Sequence, residues 1–419
     1  MQPFLNFDQV LFIKIAIVIG GLFGLSGNSI VTNEPKIVNV SPEAYGAVGD
    51  GIADDTKALQ QMFTDAIKNK FKIVIPSKTY KISKTINIVP PVNKSEFRLD
   101  VEANGENTLI YSGSTGPCLR IVGMRFSVWK GLKIKLLASP GIAGIDLDTD
   151  NTAHSTSNIN FTGCHISLGK GVNQRGWRLG VISGGGADIS VINWNNCSVY
   201  GNYGKVITGQ TGWHNQGPNC LNNILNTCFG AYLDKFFSNT STETNKTGNG
   251  AFYFYGLGTS HNNLEFEISN AQTYVISGGR FELGKHVLHV TNSNISPSII
   301  FRGIEISNYD PSEKSDLNNG CLFYLDMPCY LKLDGCNIGN KTPYNEKMIR
   351  AFGGGEGKGV GTIIIEGGSI CANKNAFYQV NLNKTRWAVY VKGVGRLENG
   401  VRVEQMTDKS GMVAVNANR

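Results

Sequence analysis

One short turn recurs along most of this chain, and the same alternation of apolar and polar side chains surrounds it each time. With Gly163 as position zero, equivalent turns fall at Gly131, Asn196, Thr227, Gly256, Gly278, Gly303, Gly335, Gly367 and Gly393. Two residues earlier stands an apolar side chain: Trp129, Phe161, Trp194, Leu225, Phe254, Ile276, Phe301, Leu333, Ile365 and Val391. One residue earlier the side chain is usually polar, as at Lys130, Thr162, Asn195 and Arg302, and three residues later it is usually apolar, as at Ile134, Ile166, Val199 and Ile306. Turns repeating roughly every 22 to 33 residues are the signature of a solenoid. The alternation has period two, so each repeat contributes strands rather than helices. Such coils bury their apolar side chains only by stacking on one another, which piles like side chains into columns about 4.8 Å apart. The expectation is an all-β, single-stranded parallel β-helix.

Composition fits that reading. Glycine makes up 51 of 419 residues and charged residues only 17%, which suits tight turns and long polar loops. A solenoid runs its whole length as one unit, so one main domain is expected. Residues 1–38 read as an apolar anchor or signal-like segment, 39–90 as a capping motif and helix, 91–400 as the β-helix and 401–419 as a C-terminal tail or cap. The 39 basic and 32 acidic residues are dispersed, and no basic run or aromatic-basic array points to nucleic acid. The nine cysteines include no CxxC pair and no zinc spacing. Cys164, Cys197, Cys228 and Cys336 each follow the repeated turn by one residue, where a small inward side chain is needed. They read as buried, reduced thiols rather than nucleophiles or ligands.

From Val10 to Leu25 the chain is almost wholly apolar, broken only by Lys14. It is short for a spanning helix, which needs roughly 20 such residues, and no Lys or Arg precedes it as a signal peptide would require. Three readings stay open: an anchor packed against a partner chain or larger particle, a signal sequence, and a membrane anchor.

Next comes Tyr45-Gly46-Ala47-Val48-Gly49-Asp50-Gly51, then Asp54-Asp55-Thr56 and an amphipathic stretch. Leu59, Met62, Phe63, Ala66 and Ile67 mark one helical face. A bare solenoid end exposes strand edges and core, so a capping helix is expected there, with Asp54 or Asp55 accepting bonds from its first turn. Ile73-Val74-Ile75-Pro76 and Tyr80-Lys81-Ile82 follow as strands. This block, over roughly residues 40 to 90, resembles the N-terminal signature of the pectate-lyase-like superfamily of right-handed parallel β-helices, which includes bacteriophage tailspikes and capsule depolymerases. One departure is Lys78, where that signature usually has glycine. The resemblance implies a right-handed helix in a virion-tail or secreted protein acting on polysaccharide, commonly as a homotrimer, with residues 1–38 available to a virion or tail partner. It transfers no catalytic residue and calls for no cofactor.

A hydrolytic site needs two carboxylates, one protonated and one ionised. In Leu264-Glu265-Phe266-Glu267-Ile268 the alternation puts Glu265 and Glu267 side by side on the outside. Asp146, Asp148 and Asp150 share a face in the same way and offer the alternative of a hard cation such as calcium. Glu282 and Asp188 complete the candidate acids. Sugar rings bind flat aromatic faces, and the longer inter-coil segments supply Trp177 with Arg178, Tyr203, and Trp213 with His214. In a lyase, His214 or Arg178 would act beside a uronate carboxylate. Arg280 with Glu305, and Arg302 with Asp334, occupy matching positions in successive coils and read as structural ion-pair ladders. The expectation is a polysaccharide depolymerase, hydrolase ahead of lyase; the rival is a receptor-binding virion protein without turnover.

Overall fold

The computed structural model describes residues 38–406 except 92–95, 150–154, 181–187, 218–219, 241–249, 270–271, 292–295, 311–320, 340–347, 353–359, 371–376, 381–385, 393, 395 and 398–402. The apolar segment Val10–Leu25, the turn at Gly393, Asp150 and most of the 401–419 tail lie outside the described residues.

The repeated turn is a left-handed residue in every described coil. At position zero φ is +68° at Gly131, +62° at Gly163, +59° at Gly256, +65° at Gly278, +58° at Gly303, +62° at Gly335 and +65° at Gly367. Glycine takes that conformation without a Cβ clash. Asn196 and Thr227 adopt it too, at φ +51° and +50°. The turn also belongs to the ladder, because its N–H donates to the next coil: Gly163 to the Asn195 carbonyl at 2.9 Å and Gly335 to the Glu366 carbonyl at 2.7 Å. No backbone donor is lost where the chain changes direction.

Each coil makes one strand, the turn and a second strand in a sheet of 25 strands among the described residues, rounds a corner, and adds one strand to a sheet of 12 among them. We call these the broad and narrow sheets. All strand pairings are parallel, and register pairs like with like. Trp129, Phe161, Trp194, Leu225, Phe254, Ile276, Phe301, Leu333, Ile365 and Val391 form one continuous inward column. Every member is buried. Cys164, Cys197, Cys228 and Cys336 are buried, unpaired thiols beside that column, and Cys228 Sγ donates to the Trp194 carbonyl at 3.3 Å.

The open end is closed by α1 (Thr56–Asn69), which buries Leu59, Met62, Phe63, Ala66 and Ile67. The Phe63 ring stacks on Trp129 with centroids 6.1 Å apart, joining the cap to the inward column. The two aspartates divide the work. Asp54 accepts the Thr56 N–H of the first turn at 3.1 Å, whereas Asp55 accepts Val48 N–H at 2.7 Å and Gly49 N–H at 3.2 Å and so pins the preceding loop.

The narrow-sheet strands that carry the site are β1 (Pro117–Val122), β2 (Ala143–Asp148), β3 (Arg175–Leu179), β4 (Thr211–Asn215), β5 (Lys235–Asn239), β6 (Leu264–Ile268), β7 (His286–Val290), β8 (Phe323–Leu325) and β9 (Ile349–Phe352).

Candidate functional site

On β2 to β8 one column of side chains points inward: Ile145, Trp177, Trp213, Phe237, Phe266, Leu288 and Phe323 are register partners and members of the core. The next residue of each strand therefore faces outward. Those residues form an unbroken register column from β1 to β9: Arg120, Asp146, Arg178, His214, Ser238, Glu267, His289, Tyr324 and Arg350. Every rung carries a charged, imidazole or hydroxyl group.

Neighbouring rungs are wired together. Arg178 holds Asp146 with two bonds, Nε at 2.7 Å and Nη2 at 2.6 Å, the forked geometry that suits a carboxylate. Burial pushes the Asp146 carboxyl up to about 6 against that pull. His214 accepts at Nδ1 from Arg175 Nε at 2.8 Å, so its proton sits on Nε2, which donates to Thr240 Oγ1 at 2.8 Å. Burial, then the cations Arg175, Lys235 and Arg178, hold His214 down to about 3, a neutral imidazole with both nitrogens engaged. Glu267 accepts from Lys235 Nζ and Ser238 Oγ, each at 2.6 Å. His289 bonds Asp326 through Nε2 at 2.8 Å, and its buried Nδ1 has no hydrogen-bond partner among the described residues. The Tyr324 ring lies 5.0 Å from the His289 ring, and burial followed by Asp326 raises its phenol. A carboxylate, an imidazole with a bare nitrogen and a tightly held phenolic proton thus occupy three successive rungs, an arrangement suited to moving protons.

Several sequence-derived residues are placed differently. Glu265 and Glu267 do not share a face: Glu265 is fully buried, bonded by Tyr309 Oη at 2.5 Å and Asn262 Nδ2 at 3.0 Å. Simple alternation fails because Glu265 and Phe266 both face the interior, as Phe236 and Phe237 do one coil earlier. At the same register position in earlier coils, a Cβ on Gly144 or Gly176 would meet the core side chains Ile166 or Val199. Trp177 and Trp213 do not line a groove; they lie on β3 and β4, buried inward, because their strands alternate with Arg178 and His214 outside. Asp146 and Asp148 are buried and engaged by Arg178 and Arg120. Glu282 ends a broad-sheet strand and pairs with Arg280 at 2.5 Å. Asp188 precedes the broad-sheet strand Ile189–Asn195, and its carbonyl accepts Thr156 N–H. The four candidate acids therefore occupy separate positions rather than one cluster. Tyr203 stands 86% exposed at the corner before β4.

The expected ladders are present. Arg280 reaches Glu305 at 3.3 Å and Arg302 reaches Asp334 at 3.2 Å, all four at least partly exposed. Sequence reasoning missed Arg175, Lys235, Ser238, His289, Tyr324, Asp326 and Arg350. For the column members Ser238, His289, Tyr324 and Arg350 the signal is a polar residue between two inward ones, once per coil.

With that geometry in hand, the fold has known counterparts. The A-module of the Azotobacter vinelandii mannuronan C-5 epimerase superposes with a TM-score of 0.58 at 12% identity, covering 89% of this chain and 99% of its own. The tailspike of an Acinetobacter phage gives 0.49 at 11% identity, over 91% of this chain and 65% of that one. PfbA, a surface adhesin of Streptococcus pneumoniae, gives 0.45 at 12% identity, over 87% and 93%. The chain shares the right-handed parallel β-helix fold of the epimerase module. No family model matches the sequence, and no curated protein matches it.

Proposed function

We propose that this protein binds an extended polysaccharide along the outer face of the narrow sheet and cleaves it there, in the manner of a tailspike depolymerase acting on a bacterial surface glycan. The observation that carries the reading is the outward column itself. Nine consecutive coils each present an ionisable or hydroxyl group at one register position. A rung repeat of about 4.8 Å makes that column a linear array, which suits a linear polymer. The epimerase module, named for its action on mannuronan, supports polysaccharide as the ligand class. Of the residues proposed from sequence, Asp146, Arg178, His214 and Glu267 belong to the column. Glu267 and His289 are the acid–base pair we favour, with Lys235 the cation beside Glu267 and Arg178 three rungs away along the column. Homotrimer assembly, a virion-tail or extracellular location and a tail partner for residues 1–38 belong to the same proposal.

The test is incubation with purified capsular polysaccharides, alginate and polygalacturonate, following reducing ends together with the ultraviolet absorbance of unsaturated uronate. Reducing ends alone indicate hydrolysis; both signals together indicate β-elimination. Glu267→Gln and His289→Gln are expected to lose at least 100-fold in rate, within the range that general acid–base groups contribute. Full activity in both variants would remove the site from the reading.

A second reading has its own observation: Asp146 and Glu267 are both tied to cations, as in a surface that recognises rather than reacts. A protein that binds one of these polymers and never shortens it is a non-enzymatic adhesin of the same fold.

A further inference from the structure

Three consecutive coils carry bulky side chains on left-handed backbone at one corner. Tyr232, His261 and Leu283 have φ of +58°, +58° and +55°. Their N–H groups donate to Ser260, Glu282 and Ser307 carbonyls in the following coil at 3.1, 3.1 and 3.2 Å, so they occupy equivalent positions. In the next coil the left-handed residue is Asn308, at φ +56°, a type that takes this conformation with little strain. Tyrosine and leucine take it only at a cost in steric strain, histidine at a smaller one, and a strained conformation that persists points to a use.

Burial does not supply that use. Leu283 is 45% exposed, Tyr203 packs against Tyr232 from outside with ring centroids 5.1 Å apart, and the Tyr232 and His261 rings stack at 4.7 Å. The result is a row of two phenols, an imidazole and an isobutyl group along the solenoid axis, with Tyr203 and Leu283 exposed and Tyr232 and His261 half-buried. Ser260 Oγ lies 2.7 Å from His261 Nδ1, which places a hydroxyl at its edge. The row stands at the entry to the narrow-sheet strands. Tyr232, His261 and Leu283 each stand three residues before the first residue of β5, β6 and β7. The column residues Ser238, Glu267 and His289 follow three residues further on, so six residues, at most about 20 Å of chain, separate row from column.

We propose that Tyr203, Tyr232, His261 and Leu283 form a sugar-stacking rim, on which the C–H faces of pyranose rings rest while the polymer crosses onto the narrow sheet. The rim rests on the polysaccharide reading above and adds a second contact surface to it. It recognises ring faces rather than charge, so it engages neutral and acidic sugars alike, and the column supplies the choice between them.

The test sets stability against binding. Tyr232→Asn and His261→Asn place the residue type of Asn308 at the two strained positions, and Tyr203→Ala removes the exposed ring. Thermal unfolding is measured beside affinity electrophoresis through gels containing alginate or a purified capsular polysaccharide. The asparagine variants are expected to unfold at a higher temperature than the parent while their dissociation constants rise at least 10-fold. Tyr203→Ala is expected to weaken binding with no change in unfolding temperature, and Tyr232→Phe, which keeps the ring, to bind as the parent does. Asparagine variants that unfold at a lower temperature, or that bind as the parent does, overturn the rim while leaving the column intact. A parent protein that is retarded by none of these polymers overturns both readings together.

Discussion

The carboxyl of Glu265 is fully buried in the solenoid interior. Burial raises it from 4.5 to about 7, even though Tyr309 and Asn262 both donate to it. The folded protein therefore holds a proton here that the unfolded chain has already released, and the neutral acid is the form that fits. Its contribution is complete below pH 4.5 and disappears as pH rises to about 7, by an amount of order 3 kcal/mol. His214 acts in the opposite sense, since its folded pKa is depressed to about 3, so the comparison must be made against a variant. Glu265→Gln is expected to remove the loss: relative to it, the parent's unfolding temperature should drop between pH 5 and 7. Parallel pH profiles for the two proteins would show that Glu265 does not titrate in this window. Strand alternation predicts this residue outside; the local irregularity at the start of β6, which turns two consecutive side chains inward, is not written in Leu264-Glu265-Phe266.

Between elements, the narrow sheet is held by its column as well as by its ladder. Asp146 on β2 and Arg178 on β3 are both largely buried, so neither is well solvated without the other. Arg178→Met leaves a stranded carboxylate and is expected to destabilise by about 3–5 kcal/mol, whereas the pair Asp146→Leu with Arg178→Met should recover most of that loss. Equilibrium or kinetic unfolding in guanidinium reads the difference, and an equal loss in the single and double variants would contradict the account. The column's pattern, one polar residue between two inward ones, exists in the sequence at Trp177-Arg178-Leu179 and Leu288-His289-Val290. It escapes a search at fixed offset because the corner loops differ in length. The column residue follows the turn by roughly 11 to 21 residues, from Glu267 after Gly256 to Tyr324 after Gly303. A period found at the turn does not carry across a corner of variable length.

For the molecule as a whole, stability is a sum over coils and their interfaces, and the end is its weak point. α1 covers the first coils, and its Phe63 is continuous with the inward column through Trp129. Phe63→Ala is expected to cost about 3–5 kcal/mol. Deleting residues 38–71 would uncover both core and strand edges, and light scattering should then report soluble aggregates where the full chain gives none. A monodisperse, folded product from that deletion would mean that the coils close their own end.

What the sequence determined unaided is the coil. A left-handed turn flanked by alternating side chains can bury its apolar half only against another copy of itself, so the fold, the inward column from Trp129 to Val391, the cysteine positions and the capping helix follow from local chemistry. What tertiary structure alone decided is which side chains meet. Arg178 lies 32 residues from Asp146, Tyr309 44 from Glu265, and Asp326 37 from His289. Each pair is brought together by the winding of the chain and by corner lengths that no single coil encodes.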